Sequence, residues 1–344
     1  MHLPSKPLPS LATLAFVLAG AFSPFQSSIA ADASGFSIEK NAHGATVKYN
    51  GELLADYVID QANKPYLWPV IGSTGKPMTR AFPMKLVGSE TAKDRDHAHH
   101  RGVWFGHENI AGFDIWTERA TYEHETKKPA DAQAHLAKLG AIKHREFLEV
   151  KADRESATIA TVDDILAPDG KKAMETGERI TFRVEGDTRT IDFDIDFIAS
   201  EGPVRFGDAK DAGFNFRVPA SMAVDSKLGG KIINSEGAAN ALAWGKRAKW
   251  VDYSGPVGGE TLGVAMLNHP SSFRYPTPWH VRTYGLLTAN PFGTHSLDKT
   301  AEDGAFELKK GERVKLRHRI ILHKGDEKSA QIAEAFEKYA KEAR

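Results

Sequence analysis

The chain has 344 residues, no cysteine, and 45 basic against 45 acidic side chains. The missing cysteine excludes disulfides, thiolate metal sites and cysteine nucleophiles together. The balanced charge leaves no electrostatic footprint for nucleic acid or for a membrane surface.

The first element is an apolar run from Leu11 to Phe22, behind a stretch whose full charges are Lys6 and the amino terminus. The run has 12 residues, short of the roughly 20 a spanning helix needs. It is followed by Ser28-Ile29-Ala30, with small residues at the two positions a signal peptidase inspects. We expect a signal peptide over residues 1–30, cleavage before Ala31, a periplasmic or extracellular product, and no membrane insertion after cleavage. No repeat, low-complexity tract or Pro/Ser linker divides residues 31–344, which are expected to form a single β-sandwich domain.

From Gly35 onward, short segments alternate apolar and polar residues and close on turn residues. Asn50-Gly51 predicts a hairpin turn inside ATVKYNGELLADYVID. In RTIDFDIDFIAS, Ile191, Phe193, Ile195 and Phe197 fall on one face and acids on the other. That pattern belongs to a half-buried antiparallel strand. The stretch from Glu118 to Gly140 is charged and Ala-rich and reads as an irregular or partly helical excursion. Gly258-Gly259 reads as a turn, since it lacks the strand-to-helix setting of a phosphate loop. Residues 305–323 carry two more strands, and Glu327 to Glu342 carries a helical stripe of Ile332, Phe336, Tyr339 and Ala340. The expected fold is all-β: a large antiparallel β super-sandwich with a C-terminal helix.

Two segments concentrate chemistry. The first is DRDHAHHRGVWFGH, residues 94–107. If residues 96–104 are extended, His97, His99 and Arg101 share one face while Asp96, His100 and Trp104 share the other. Histidines serve as general acids and bases near neutral pH. The His97 and His99 pair is also half of a metal site, with His107, His124, Asp114 and His280 as candidates for a further ligand. The second segment is HPSSFRYPTPWHVRTYG followed by ANPFG, residues 269–293. Its Pro, aromatic, His, Arg and Asn density is loop chemistry and fits a polyol pocket. Two shorter fragments, KDAGFNFR around Asp211 and Arg217 and WVDYSG around Asp252, each add an acid.

The blocks HAHHRGVWFGHENIAGFDIW, DAGFNFR, WVDYSG and HPSSFRYPTPWHVRTYGLLTANPFG together resemble the bacterial PmoA-like family, labelled "methane oxygenase PmoA" and treated as a domain of unknown function. The resemblance spans nearly all of the chain after the leader. It implies a super-sandwich similar to galactose mutarotase-like proteins, which bind sugars on the concave face of a sheet. The methane oxygenase activity in the label does not carry over, because no spanning segment follows the leader.

The expected function is a secreted carbohydrate-active protein, an isomerase, lyase or hydrolase doing acid/base chemistry on a sugar. Epimerisation, elimination and hydrolysis all remain open, and so do a metal-dependent enzyme centred on His97 and His99 and a non-catalytic glycan-binding protein. Candidate catalytic residues are His97, His99, His100, His280 and Asp211, with Asp114 and Asp252 as alternative bases. Candidate substrate-binding residues are Arg101, Trp104, His107, Arg217, Arg274, Trp279, Arg282 and Asn290, with Trp116 as a further flat surface. No cofactor is required, a metal ion is possible, and the expected partner is a small molecule or glycan. The oligomeric state is left open.

Overall fold

Strands that alternate apolar and polar residues cover one face at a time, so two such sheets bury their apolar faces against each other. The computed structural model describes residues 1–2, 34–123 and 128–343; the leader falls almost wholly on residues 3–33, outside the described residues, as does His124. The described strands, in chain order, are β1 (Phe36–Asn41), β2 (Gly44–Tyr49), β3 (Glu52–Val58), β4 (Tyr66–Val70), β5 (Val103–His107), β6 (Ala141–Ala152), β7 (Ser156–Leu166), β8 (Lys172–Glu185) and β9 (Thr188–Ile198). They continue with β10 (Val204–Phe206), β11 (Ala212–Arg217), β12 (Lys231–Asn234), β13 (Trp250–Val257), β14 (Glu260–Asn268), β15 (Leu286–Ala289), β16 (Phe306–Leu308) and β17 (Arg313–Lys324).

One sheet has seven strands in the order β1-β2-β3-β4-β5-β11-β15, and the other eight in the order β12-β13-β14-β17-β9-β8-β7-β6. All named pairings are antiparallel. Phe105 of the first sheet meets Phe197 of the second with ring centroids 4.4 Å apart, and Phe193 meets Phe214 at 4.5 Å. One continuous apolar core therefore fills the space between the sheets. The fold is a large antiparallel β super-sandwich.

The local signals act as their chemistry requires. Asn50 and Gly51 both have positive φ, 51° and 79°, as a two-residue hairpin turn between β2 and β3 demands. Gly258 and Gly259 do the same between β13 and β14. The 118–140 excursion holds two short helices, α1 (Arg119–Tyr122) and α2 (Pro129–Leu136). Another short helix, α3, covers Thr294–Leu297. The C-terminal helix, α4, covers Ile332–Tyr339 and is shorter than the stripe from Glu327 implied, because Gln331 takes a left-handed conformation (φ 52°) at its start. It buries Ile332, Phe336 and Tyr339 against Trp250, Ala265, Leu267 and Ile321 on the outer side of the eight-stranded sheet. Among the described residues, no helix is long and apolar enough to cross a membrane.

Candidate functional site

Register decides which side chains leave the core. On β5, Val103 and Phe105 belong to the core, so Trp104 points to the opposite, outer face. Trp104 pairs with Asn215, which in turn pairs with Thr288, and Arg217 pairs with Leu286. These residues make an outer platform on β5, β11 and β15. Gly106 leaves room on it: a Cβ there would come within 3.1 Å of the Trp116 backbone. Residues 278–282 run beside β15, with His280 N–H donating to Thr288 O (3.0 Å) and Arg282 N–H to Leu286 O (2.8 Å). Alternation there sends Trp279 and Val281 into the core and leaves His280 and Arg282 outside it.

The 96–101 segment is not extended, contrary to the alternation expected for it. His97 has φ 49°, and the His100 N–H bonds back to His97 O at 2.9 Å, so the chain makes a tight turn. Gly102 (φ 61°) then redirects it into β5, with its α-carbon too close to Leu67 O for any side chain. The turn gathers the three imidazoles instead of alternating them. His97 stacks on His100 (4.7 Å) and on Tyr284 (5.0 Å), and His99 packs edge-on to His100 at 4.5 Å. His100 in turn stacks over Trp104 at 5.3 Å and meets Trp116 edge-on at 5.8 Å. Trp116 lies parallel to His280 at 6.3 Å. Two segments about 180 residues apart thus share one cluster.

Charged groups fix the turn from below. The Asp96 carboxylate takes His97 Nδ1 at 2.8 Å and the Arg217 guanidinium, with Arg80 at 3.9 Å. Burial alone would raise the Asp96 pKa, but the His97 hydrogen bond and the Arg217 charge outweigh it and hold the carboxyl below its ordinary value. Arg80 donates to the carbonyls of Asp94, Val218 and Tyr284. His280 Nδ1 stands 3.6 Å from Asp211 Oδ1. Burial raises the Asp211 pKa, while burial and then the Arg282 and Lys210 charges lower His280 to about 3. His99 and His100 are held well below the usual imidazole value, first by burial. Burial and the neighbouring Arg80 lower Arg217 to about 10. Near neutral pH the site therefore holds neutral His99, His100 and His280 and a cationic Arg217.

Four buried polar atoms of this cluster have no hydrogen-bond partner among the described residues: His100 Nδ1, Trp104 Nε1, Arg217 Nη1 and His280 Nδ1. Buried polar groups are nearly always paired, and an unpaired one costs about 1–3 kcal/mol. Beside the cluster, a cavity of about 430 Å³ is lined by Arg80, Asp94, Asp96, Ser221, Ser226 and Tyr284, among others. Its rim shares Asp96 and Tyr284 with the imidazoles.

Other sequence candidates take different places. Trp279 is fully buried, and its indole N–H is spent on Ala248 O (2.9 Å), so the ring offers no sugar platform. His107 shares the inward parity of Val103 and Phe105 and packs against Phe206 and Phe292. Arg274 lies over the rings of Phe273 and Phe306 and donates to Pro291 O. Asn290 donates to Ala209 O and Lys210 O, so it fixes the loop that carries Asp211. Arg101 is committed to a two-pronged bond with Glu118 (2.8 and 2.7 Å). Asp114 caps its own turn through the backbone N–H groups of Trp116 and Thr117. Asp252 belongs to the other sheet, bonded to His323 at 2.7 Å.

Sequence reasoning gave no role to Asp96 or Tyr284, both of which fall inside the segments it singled out, and it passed over Lys64. Lys64 is fully buried, donates to Trp116 O at 2.6 Å and is brought down to about 8 by burial. No local pattern marks it. Among the described residues, no three His, Asp or Glu side chains are grouped as a set of metal ligands.

Solved structures similar to this chain include an α-galactosidase from Lactobacillus brevis, at 10% identity and a TM-score of 0.41 over 90% of this chain and 43% of that one. The chain therefore spans less than half of that enzyme's length. A galactose mutarotase-like protein from Clostridium acetobutylicum is 10% identical with a TM-score of 0.35, over 84% of this chain and 98% of that one. One from Lactobacillus casei is 10% identical with a TM-score of 0.33, over 84% and 100%. No curated protein matches the chain. A family model matches residues 44–337, nearly all of the sandwich and every residue of the cluster, and the chain belongs to that family of unknown function, DUF6807.

Proposed function

We propose that the outer-face cluster is an active site for acid/base chemistry on a sugar or sugar derivative, at a carbon bearing or adjacent to a carbonyl. The observation that carries this is the set of four buried, unpartnered polar atoms among stacked rings. Trp104 Nε1 and Arg217 Nη1 can only donate, so they call for acceptor oxygens. In this reading Asp211 and His280 form the proton-transferring pair, since a raised carboxyl and a lowered imidazole bring the two proton affinities together. His97, steadied by Asp96, is the second proton carrier, and its side chain is 39% exposed. Arg217 and the Trp104 N–H face a developing oxyanion. His97, stacked on Tyr284, stands at the accessible edge of the cluster. By contrast, the cavity between the sheets, beside Tyr57, Asp163 and Glu178, has only about 30 Å³, room for a water and not for a sugar.

A binding-only reading has one observation behind it: His99, His100 and His280 are 6%, 2% and 2% exposed, so a ligand reaches them only after a small opening of the cluster. The test is NMR of product or anomer formation with a panel of sugars and keto-sugars, before and after exhaustive chelation. Turnover that survives chelation is the expected result. Binding without turnover would favour the glycan-binding reading, and turnover lost on chelation and restored by one ion would favour a metal enzyme using His97 and His99. Kinship with PmoA-labelled proteins and export with cleavage before Ala31 stand as further proposals. Amino-terminal sequencing of the protein from its native host checks the second.

A further inference from the structure

The cations around the cluster differ in what holds them. Arg80 donates to three carbonyls, Arg101 to Glu118, Lys64 to Asn63 Oδ1 and Trp116 O, and Arg217 to Asp96 on one side. Lys210 lies 3.5 Å from Asp211. Arg282 is different. Its guanidinium has no hydrogen bond and no ion pair with any described residue, although it is only partly exposed and lies over the Tyr284 ring at 5.5 Å. Its backbone is fixed on both sides, by Arg282 N–H to Leu286 O and by Gly285 N–H to Arg282 O. The Arg217 guanidinium lies over the same ring at 4.8 Å and keeps Nη1 unpartnered.

Two guanidinium groups lie against one tyrosine, and Arg282 together with Arg217 Nη1 leaves an excess of donors. Arginine's planar fork fits a carboxylate with two parallel bonds, and such charge-assisted bonds are about twice as strong as neutral ones. We propose that the ligand of this site is an acidic sugar, a uronate or related sugar acid, whose carboxylate is taken by Arg282 beside Tyr284. The proposal rests on the sugar-site reading above and adds the substrate's charge to it. Arg282 is thereby a specificity-determining residue, and its field helps keep His280 neutral once the carboxylate is absent.

The test compares glucuronate and galacturonate with glucose and galactose by calorimetry or ligand-observed NMR. It uses the wild-type chain, Arg282→Gln and Arg282→Lys, with acetate as a further probe. Wild type is expected to prefer the uronate by roughly tenfold or more, with the preference weakening as salt rises. Arg282→Gln should bring the uronate-to-neutral ratio close to one, and Arg282→Lys should give an intermediate ratio, since it keeps the charge and loses the fork. Equal affinity for acidic and neutral sugars in wild type, or a ratio unmoved in both folded variants, overturns the proposal and leaves the sugar reading standing. Acetate binding that depends on Arg282, with no sugar bound, supports the carboxylate site and overturns the sugar reading instead.

Discussion

One histidine–carboxylate pair lies on the eight-stranded sheet and another beside the seven-stranded sheet, and they are built in opposite ways. On the eight-stranded sheet, His323 Nε2 meets Asp252 Oδ2 at 2.7 Å, and His323 Nδ1 reaches Lys324 O at 3.2 Å. Both ring nitrogens are used. Burial alone would lower His323, but the Asp252 hydrogen bond and charge outweigh it, so its pKa is raised. Beside the seven-stranded sheet, His280 Nδ1 stands 3.6 Å from Asp211 Oδ1 and makes no hydrogen bond among the described residues, and the His280 pKa falls. The same two residue types make a hydrogen-bonded pair in one place and an open one in the other. What separates them is the imidazole: both ring nitrogens of His323 are bonded, whereas His280 Nδ1 has no hydrogen-bond partner among the described residues.

The largest effect expected from this contrast is on turnover. Asp211→Asn and His280→Gln should each lower kcat/KM by about 10²–10⁴-fold, the usual span for loss of a general acid or base. Asp211→Asn should leave the thermal midpoint nearly unmoved, because it keeps the side chain's shape and removes only a long, partly exposed ion pair with Lys210. Steady-state kinetics and calorimetry on the same preparations check both halves. Next in size is Asp252→Ala, which strands His323 beneath the chain and should cost about 3–5 kcal/mol of stability in denaturant unfolding. Activity per folded molecule should be retained there, and a loss of turnover without loss of stability would mean that the wrong pair has been called structural.

A smaller effect concerns pH. His280 has a folded pKa lowered from 6.5 to about 3, so the unfolded chain binds the extra proton between those values. Its contribution to stability is thus intact above about pH 6.5 and is lost as the pH falls toward 3. His323 has the opposite sign: its raised folded pKa gives a contribution that is present below the unfolded value and is lost as the pH rises through the folded one. His280→Gln should therefore flatten the loss of stability between neutral pH and pH 4 by about 1–3 kcal/mol, and His323→Gln should not. Urea unfolding at a series of pH values distinguishes them.

The sandwich was legible because period-two alternation is a local property. Ile191, Phe193, Ile195 and Phe197 are all buried, as their spacing implies. The site was legible in composition and not in geometry. The imidazoles of the 96–101 segment converge because His97 takes a left-handed backbone that few non-glycine residues adopt, and no neighbouring residue announces it. Trp279 and His280 are adjacent in sequence, and one step of register separates core from site. Arg217 and Asp96 are 121 residues apart, so their pairing is a consequence of sheet order and not of any motif.

The most direct measurement is long-range ¹⁵N–¹H NMR of the histidine rings, with a sugar from the panel titrated into the wild-type protein near pH 6. Unsaturated rings should answer the ligand: the His100 and His280 nitrogens are expected neutral before addition and shifted after it, while the His323 signals stay in place. A sugar that binds without moving His100 or His280, or that moves His323 instead, would contradict the assignment of function to the open cluster.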